Sequence, residues 1–480
     1  MKKGAKLLTA IIVLGAVYTG TSWYVGKEAQ ATIEQMVQRA NDRLTAALGV
    51  NVPENGFKVA ISEYKRHVFS SDVVYTLQMQ DSQGAPVEYL LSDHLQHGPF
   101  PLGALQSGHF APLMALSRAQ MIPSVATQKW FDSLQGQSPV VATTRVTFSG
   151  EGNSVWQLKP LAVKEGGDSL KFSGGVINAT LSNNFQDSVV KGTFEALEYA
   201  SARSGDSVQI HGIVLGSTTN VAGEPSTVKS SSQAVAEQFT LASADSVPVQ
   251  LSKVAINLDS QQRNNQLEGA LQYSLGGIRL GEADFGSLTA GFKGSNLDVQ
   301  ALTDLVVTYD RIKALHNLGP DDELELTPDE AAQLRNKLWA VLDSQPTVSI
   351  DPFIWKNGQG ESTLKLAVNL ARPAGSDASE AALLLPQVIK RLELNLAIAK
   401  PMFIQTFSQF QGVPGGNGNA AMMGAMVFDM YAARLGRAGL AVQAEDKLST
   451  AIRYENDSVE VNGKAMSVPE FLQRAISAVM

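Results

Sequence analysis

"KVAINLDSQQRNNQLEGALQYSLGG", Lys253 to Gly277, contains two alternating runs separated by a cluster of turn residues. In the first run Val254, Ile256 and Leu258 alternate with Lys253, Ala255 and Asn257. In the second, Leu267, Leu271, Tyr273 and Leu275 alternate with Glu268, Gln272 and Ser274. A period of two sends every second side chain to one face of a strand. The intervening "QRNN" supplies residues that tolerate tight turns. The stretch therefore reads as an antiparallel hairpin with one apolar and one polar face.

The same period runs outward from Phe57 to Leu297, punctuated by "EGNS", "EGGD", "SGG", "LGG" and "FKGSN". Short strands with regular turns predict an antiparallel meander. Leu297 to Leu318 then takes helical spacing, and a second helix opens at "TPDE". There Thr327 and Glu330 form a capping box with Pro328 at the first helical position. Strands return at Val348, with a hairpin near Asn357-Gly358 placing Leu364, Leu366, Val368 and Leu370 on one face. Leu392, Leu394, Leu396 and Ile398 repeat that pattern. A glycine-rich linker ("GVPGGNGN"), a methionine-rich helix, a hairpin turning at "ENDS" and a short helix close the chain.

At 480 residues the chain has room for more than one core. The formal net charge of −8, with no basic cluster, argues against a nucleic-acid partner. Cysteine is absent, which excludes thiol catalysis and thiolate metal sites and fits export to an oxidising compartment.

At the N-terminus Lys2, Lys3 and Lys6 precede an uncharged run from Leu7 to Gly26. A helix of that length reaches roughly 30 Å, enough to cross a hydrocarbon core. Trp23 and Tyr24 stand at its outer end, and the leading lysines place the N-terminus in the cytoplasm. Ala29-Gln30-Ala31 offers a signal-peptidase site as the competing reading, but the run is long for a signal core and Lys27 and Glu28 crowd the site. Ile33, Met36, Val37, Ala40, Leu44, Ala47 and Leu48 then follow helical spacing. That stripe either pairs with a second copy or docks on the domain that follows.

The expected organisation is a cytoplasmic tail (1–6), a transmembrane anchor (7–26) and a juxtamembrane helix (27–50). A β-rich domain (51–297), a helical pair (298–346) and a second β-rich region (347–480) follow. The fold class is α+β.

"DHLQHGPFPLGALQSGH", residues 93–109, holds three of the six histidines. A metal site on His94 and His97 needs both rings on one side. Val87, Tyr89, Leu91, Asp93 and Leu95 alternate as a strand, which sends residues 94 and 97 to opposite faces. Pro99 and Pro101 exclude a helix, so no metal and no cofactor is expected. The turn His97-Gly98-Pro99-Phe100 is singled out because "HGPFPLGAL" resembles a signature of the YdgA-like family of bacterial inner-membrane proteins. "YKRHVFSSD" (64–72), "FSGG" (172–175), "WKNGQGES" (355–362) and "VNGKAMSVPEF" (461–471) agree with it. His67 departs, standing where the family more often has glycine. The resemblance implies a periplasmic domain anchored in the inner membrane, and brings no activity or catalytic residues.

Other motifs are weaker. Gly416, Gly418 and Ala421 outline a dinucleotide loop, but the preceding "PMFIQTFSQFQ" reads as helix rather than strand. Glu361 is a lone carboxylate without a catalytic partner. No P-loop, GxSxG or HExxH occurs, and the chain is not expected to be an enzyme. Met422, Met426 and Met430 lie at i, i+4 and i+8, widened by Tyr431. That stripe is either a flexible core face or a surface for apolar ligands or partners.

The functional expectation is an apolar ligand, such as lipid, held along a β-sheet groove, in general likeness to the AsmA-like class of envelope proteins. The alternative is a structural or accessory envelope protein acting through protein contacts, including self-association.

Overall fold

The computed structural model describes residues 22, 24, 26–31, 33–35, 37, 38 and 41, then 58–80, 85–182, 186–223, 227–244, 246–316, 325–373, 387–410 and 418–479. The chain divides into two compact units, Met1–Tyr199 with Val214–Asn220, and Ala200–Ile213 with Val221–Met480.

In the first unit the strands are β1 (Lys58–Arg66), β2 (Ser70–Gln80), β3 (Pro86–His97), β4 (Ala115–Ile122) and β5 (Val140–Val146). β6 (Gly152–Leu158), β7 (Leu161–Glu165), β8 (Asp168–Phe172), β9 (Gly175–Ser182) and β10 (Asp187–Ala200) follow. Antiparallel pairing runs β1-β2-β3-β4-β5-β6-β9-β10, with β7 and β8 as a side hairpin. Short helices α1 (Leu102–Gln106) and α2 (Gln128–Ser133) follow β3 and β4.

The described residues between 22 and 41 are helical and dock on this sheet. Ala29 is buried against Leu95 and Ala115, with Ile33 and Val146 packed alongside. Asn41 ties the helix to β1, its amide exchanging two 2.8 Å hydrogen bonds with the backbone of Val59. Of the juxtamembrane stripe, Ile33 and Val37 lie against the sheet of the domain that follows, and Met36, Ala40, Leu44, Ala47 and Leu48 lie outside the described residues. The anchor expected over Leu7 to Gly26 falls largely outside the described residues; at its end, Ser22 and Gly26 are buried against the His97-Gly98 turn. Among the described residues no helix is long and apolar enough to cross a membrane.

The division between the units runs through β11 (Ser207–Ala222). The second unit then builds β12 (Thr227–Ser243), β13 (Ser246–Arg263), β14 (Gln266–Leu280), β15 (Ala283–Asp298), β16 (Thr347–Asn357) and β17 (Gly360–Leu370). β18 (Ile389–Ala399), β19 (Val442–Ala444), β20 (Lys447–Glu455), β21 (Ser458–Val461) and β22 (Lys464–Ser467) complete it. From β12 to β18 each strand pairs antiparallel with its neighbour in sequence, and β20 adds to β18. The hairpin read from Lys253 to Gly277 is β13–β14, closing from Val249↔Leu280 to Arg263↔Gln266. Asn264 takes the turn at φ 55°, a conformation asparagine tolerates.

Two helices, α3 (Val299–Leu315) and α4 (Pro328–Asp343), separate β15 from β16 in sequence, yet those strands pair directly from Ser287↔Lys356 to Ser295↔Thr347. The helical pair is thus an insertion at one end of a hairpin. The first helix starts at Val299 rather than Leu297 because the Asp298 carboxylate accepts the Ala301 N–H as a cap. The Thr327–Glu330 capping box is present as the sequence predicts. α5 (Lys400–Phe410), α6 (Gly418–Arg437) and α7 (Val468–Val479) complete the unit. The first of these is the helix expected at "PMFIQTFSQFQ". Residues 412–417 of the glycine-rich linker lie outside the described residues.

Candidate functional site

The histidine-rich stretch forms the end of β3 and a turn on the first unit. His94 and His97 face opposite ways: His94 Nδ1 meets Asp72 Oδ1 at 2.7 Å on the surface, whereas His97 is 1% exposed. His67 approaches the other oxygen of Asp72 at 3.3 Å. Among the described residues no group of three or more His, Asp or Glu side chains is arranged to hold a metal. His97 Nε2 and Ser71 Oγ lie 2.9 Å apart. Burial pushes the imidazole's pKa below the usual histidine value, outweighing the carbonyls of Val68 and Ser22, which favour its charged form.

Gly98 donates its N–H to Met114 O (2.7 Å) and Leu113 donates to Pro99 O (2.9 Å), so the turn is sewn to the entry of β4. Gly98 is glycine for lack of space, not for a left-handed backbone. It has no positive φ, but a Cβ there would lie 1.9 Å from the Leu113 carbonyl oxygen. Pro101 is buried while Phe100 is 39% exposed, so the turn is a packed junction with one aromatic ring directed outward.

Beneath the N-terminal helix the first sheet presents an apolar groove of about 490 Å³, lined by Ile33, Val37, Tyr75, Leu91, Leu95 and Trp156 among others. Asp93 lies in the middle of it, on the same strand face as Leu91 and Leu95, and is 5% exposed. Desolvation raises its pKa, opposed by the Ser117 hydroxyl, which donates to Oδ1 at 2.8 Å. Burial likewise raises the pKa of the Tyr75 phenol. In the sequence, Asp93 is legible only as an ionisable residue at a core parity position between Leu91 and Leu95.

The second unit also carries an apolar surface. Cross-strand register aligns Leu258, Leu271, Phe292, Ile350, Leu366, Leu394 and Ile452 into one row across seven strands. Ile256, Tyr273, Ala290, Phe353, Leu364 and Leu396 form the next row on the same face. The opposite face is polar, with Lys293 and Lys365 both reaching Asp351 (3.6 and 3.4 Å) and Arg453 reaching Glu393 (3.9 Å). Among the described residues, helices cover parts of the apolar face, and the C-terminal helix adds Ala478 to the cluster that holds Ile452. At one end Phe403 of α5 and Phe428 of α6 pack over Ile398 and Leu448. At the other, Trp339 and Leu342 of α4 pack on Leu370. Between them lies an open groove of about 490 Å³ whose lining includes Leu258, Leu271, Phe292, Val348, Ile350 and Leu366. Leu258 is 47% exposed and Phe292 42%.

The methionine stripe of α6 is outside the core. Phe428 and Ala432 form the buried face, while Met422, Met426, Met430 and Tyr431 are exposed. The structure therefore separates the residues singled out in the sequence. The turn belongs to the first unit and the stripe to the second, and neither lines the apolar grooves.

A large antiparallel sheet with an open apolar face and a few packed helices defines a class of β-rich proteins. The chain belongs to the family described as bacterial protein of unknown function (DUF945), which it matches over residues 1–469. It is similar to Protein YdgA of Escherichia coli, at 25% identity covering 98% of this chain and 96% of that one. It is also similar to the uncharacterized protein YihF of Escherichia coli, at 23% identity with 97% of each chain covered. An uncharacterized protein of Haemophilus influenzae matches at 23% identity over 40% of this chain and 52% of its own length. No solved structure matches the chain.

Proposed function

We propose that this chain is a non-enzymatic protein of the bacterial envelope, tethered to the inner membrane by its N-terminal span, that holds lipid or another apolar ligand along the open sheet face of its second unit. The observation that carries this reading is the stretch of the apolar row from Leu258 to Leu366, which lines an open groove. Soluble proteins rarely leave a large contiguous apolar surface open unless something occupies it. The concave, mostly apolar lining with few polar groups is the usual composition of a small-molecule site.

Mass spectrometry of the chain purified in mild detergent tests the reading. Lipid should co-purify with the wild type and be lost from Phe292→Asp, which puts a charge in the middle of the row. Lipid content identical in the two would sink it. A reporter active only in the periplasm, fused at the C-terminus, tests the tether and should be active.

A second reading, an accessory protein acting through protein contacts, is favoured by the exposed stripe of Met422, Met426 and Met430. Flexible, polarizable methionines suit surfaces that adapt to varied partners.

A further inference from the structure

Along the apolar face of the second unit the chemistry changes abruptly at one end. Ser252 follows Val254 on the same side of β13, opposite Gln238 on β12 and Gly277 on β14. There the sheet opens into a polar cavity of about 720 Å³, lined by Glu237, Ser252, Arg279, Asp284, Lys356 and, from α5, Gln405 among others. Two cations, Arg279 and Lys356, and two anions, Glu237 and Asp284, are among its lining residues. Arg279 and Asp284 are only loosely associated, at 4.0 Å. Among the described residues neither Glu237 nor Lys356 has an ion-pair partner. The Gln405 side-chain carbonyl oxygen is buried and has no hydrogen-bond donor. A buried acceptor in that state is costly until a donor reaches it.

We propose that this cavity holds the head group of a zwitterionic amphiphile whose acyl chain lies along the apolar rows. The proposal rests on the reading of the apolar face given above and names the ligand class. A phosphodiester sits between Arg279 and Lys356. A primary ammonium faces Glu237 and Asp284 and donates to the Gln405 carbonyl. Six residues separate Leu258 from Ser252 on β13, about 20 Å at roughly 3.4 Å per residue, so chain and head sites are separated by molecular dimensions. A purely anionic head would leave both carboxylates opposed to it. A quaternary ammonium would bring charge but no N–H for Gln405.

Trp355 lies between the two sites, on the row of Val254, Leu275 and Leu288. The test is quenching of its fluorescence by phospholipids with brominated acyl chains, in the full chain purified and stripped of lipid in detergent. Subtracting the signal of Trp355→Phe isolates the site. Phosphatidylethanolamine should bind about tenfold more tightly than phosphatidylglycerol or phosphatidylcholine, the scale of one charge-assisted hydrogen bond. Lys356→Gln and Glu237→Gln should each weaken phosphatidylethanolamine binding, and Gln405→Leu should abolish its advantage over phosphatidylcholine. Quenching that is equal for all three heads, or unmoved by the variants, overturns the head-group assignment and leaves chain binding standing. Absence of Trp355-dependent quenching with every lipid overturns both.

Discussion

Replacing Gly98 by alanine adds one carbon at the most crowded point of the first unit. The new Cβ would lie 1.9 Å from Leu113 O and 2.9 Å from Met114 O, where real contacts stay beyond 3.0 Å. Leu113 is 1% exposed and packed against Ala104 and Leu116, so its backbone has little freedom to retreat. Moving it by about 1 Å strains two hydrogen bonds, Gly98 N–H to Met114 O and Leu113 N–H to Pro99 O. Their loss costs about 0.5–1.5 kcal/mol each, and overpacking adds about 1–3 kcal/mol. A total near 4 kcal/mol, divided by a slope of about 2 kcal/mol/M, lowers the urea midpoint of this unit by about 2 M. Gly108→Ala is the control. Its φ of 77° is unfavourable for alanine, but nothing lies within 4 Å of the added carbon, so only the backbone cost of about 1–2 kcal/mol applies. Urea unfolding followed by fluorescence measures both. If Gly98→Ala unfolds no earlier than Gly108→Ala, the close-approach argument is wrong.

Three further outcomes follow from the same geometry. Asp93 has a folded pKa raised by burial, so the stability it contributes is fully present below the ordinary carboxylate pKa and is lost as pH rises through the folded value. Asp93→Asn should therefore stabilise the first unit at neutral pH and give no gain in acid; denaturation curves at several pH values would show the reverse if the ionised carboxylate were favoured. Because Met422, Met426 and Met430 are exposed, changing all three to Gln should move stability by no more than about 0.5 kcal/mol each, whereas a core stripe would lose roughly 2–5 kcal/mol per residue. Replacing His94 and His109 together should leave the metal content of the purified protein unchanged by elemental analysis, and a stoichiometric metal lost with them would contradict the surface pairing of His94 with Asp72.

Local patterns carried the hairpin from Lys253 to Gly277, the capping box at Thr327 and the opposite facing of His94 and His97, because each is fixed by residues within a few positions. The partners of His97 were not legible. Ser71 reaches it through the β2–β3 register and Gly26 through docking of a distant helix, and no nearby residue specifies either. The methionine spacing fixed one face of α6 but not its direction; the buried face turned out to be that of Phe428 and Ala432. The polar cavity draws Glu237, Ser252, Arg279, Lys356 and Gln405 from separate elements. Each is an ordinary surface residue in sequence, and only the strand register brings them together.

The sequential pairing of β12 to β18 also determines how such a groove changes size. Every strand is added beside its predecessor, so one more hairpin inserted at a turn widens the apolar face by two strand spacings, about 9.6 Å, without rethreading the chain. The turn between β15 and β16 already accommodates α3 and α4 while the two strands remain paired. The capacity of the surface is set by hairpin number, and duplication or deletion of one hairpin would refit it to a longer or shorter occupant.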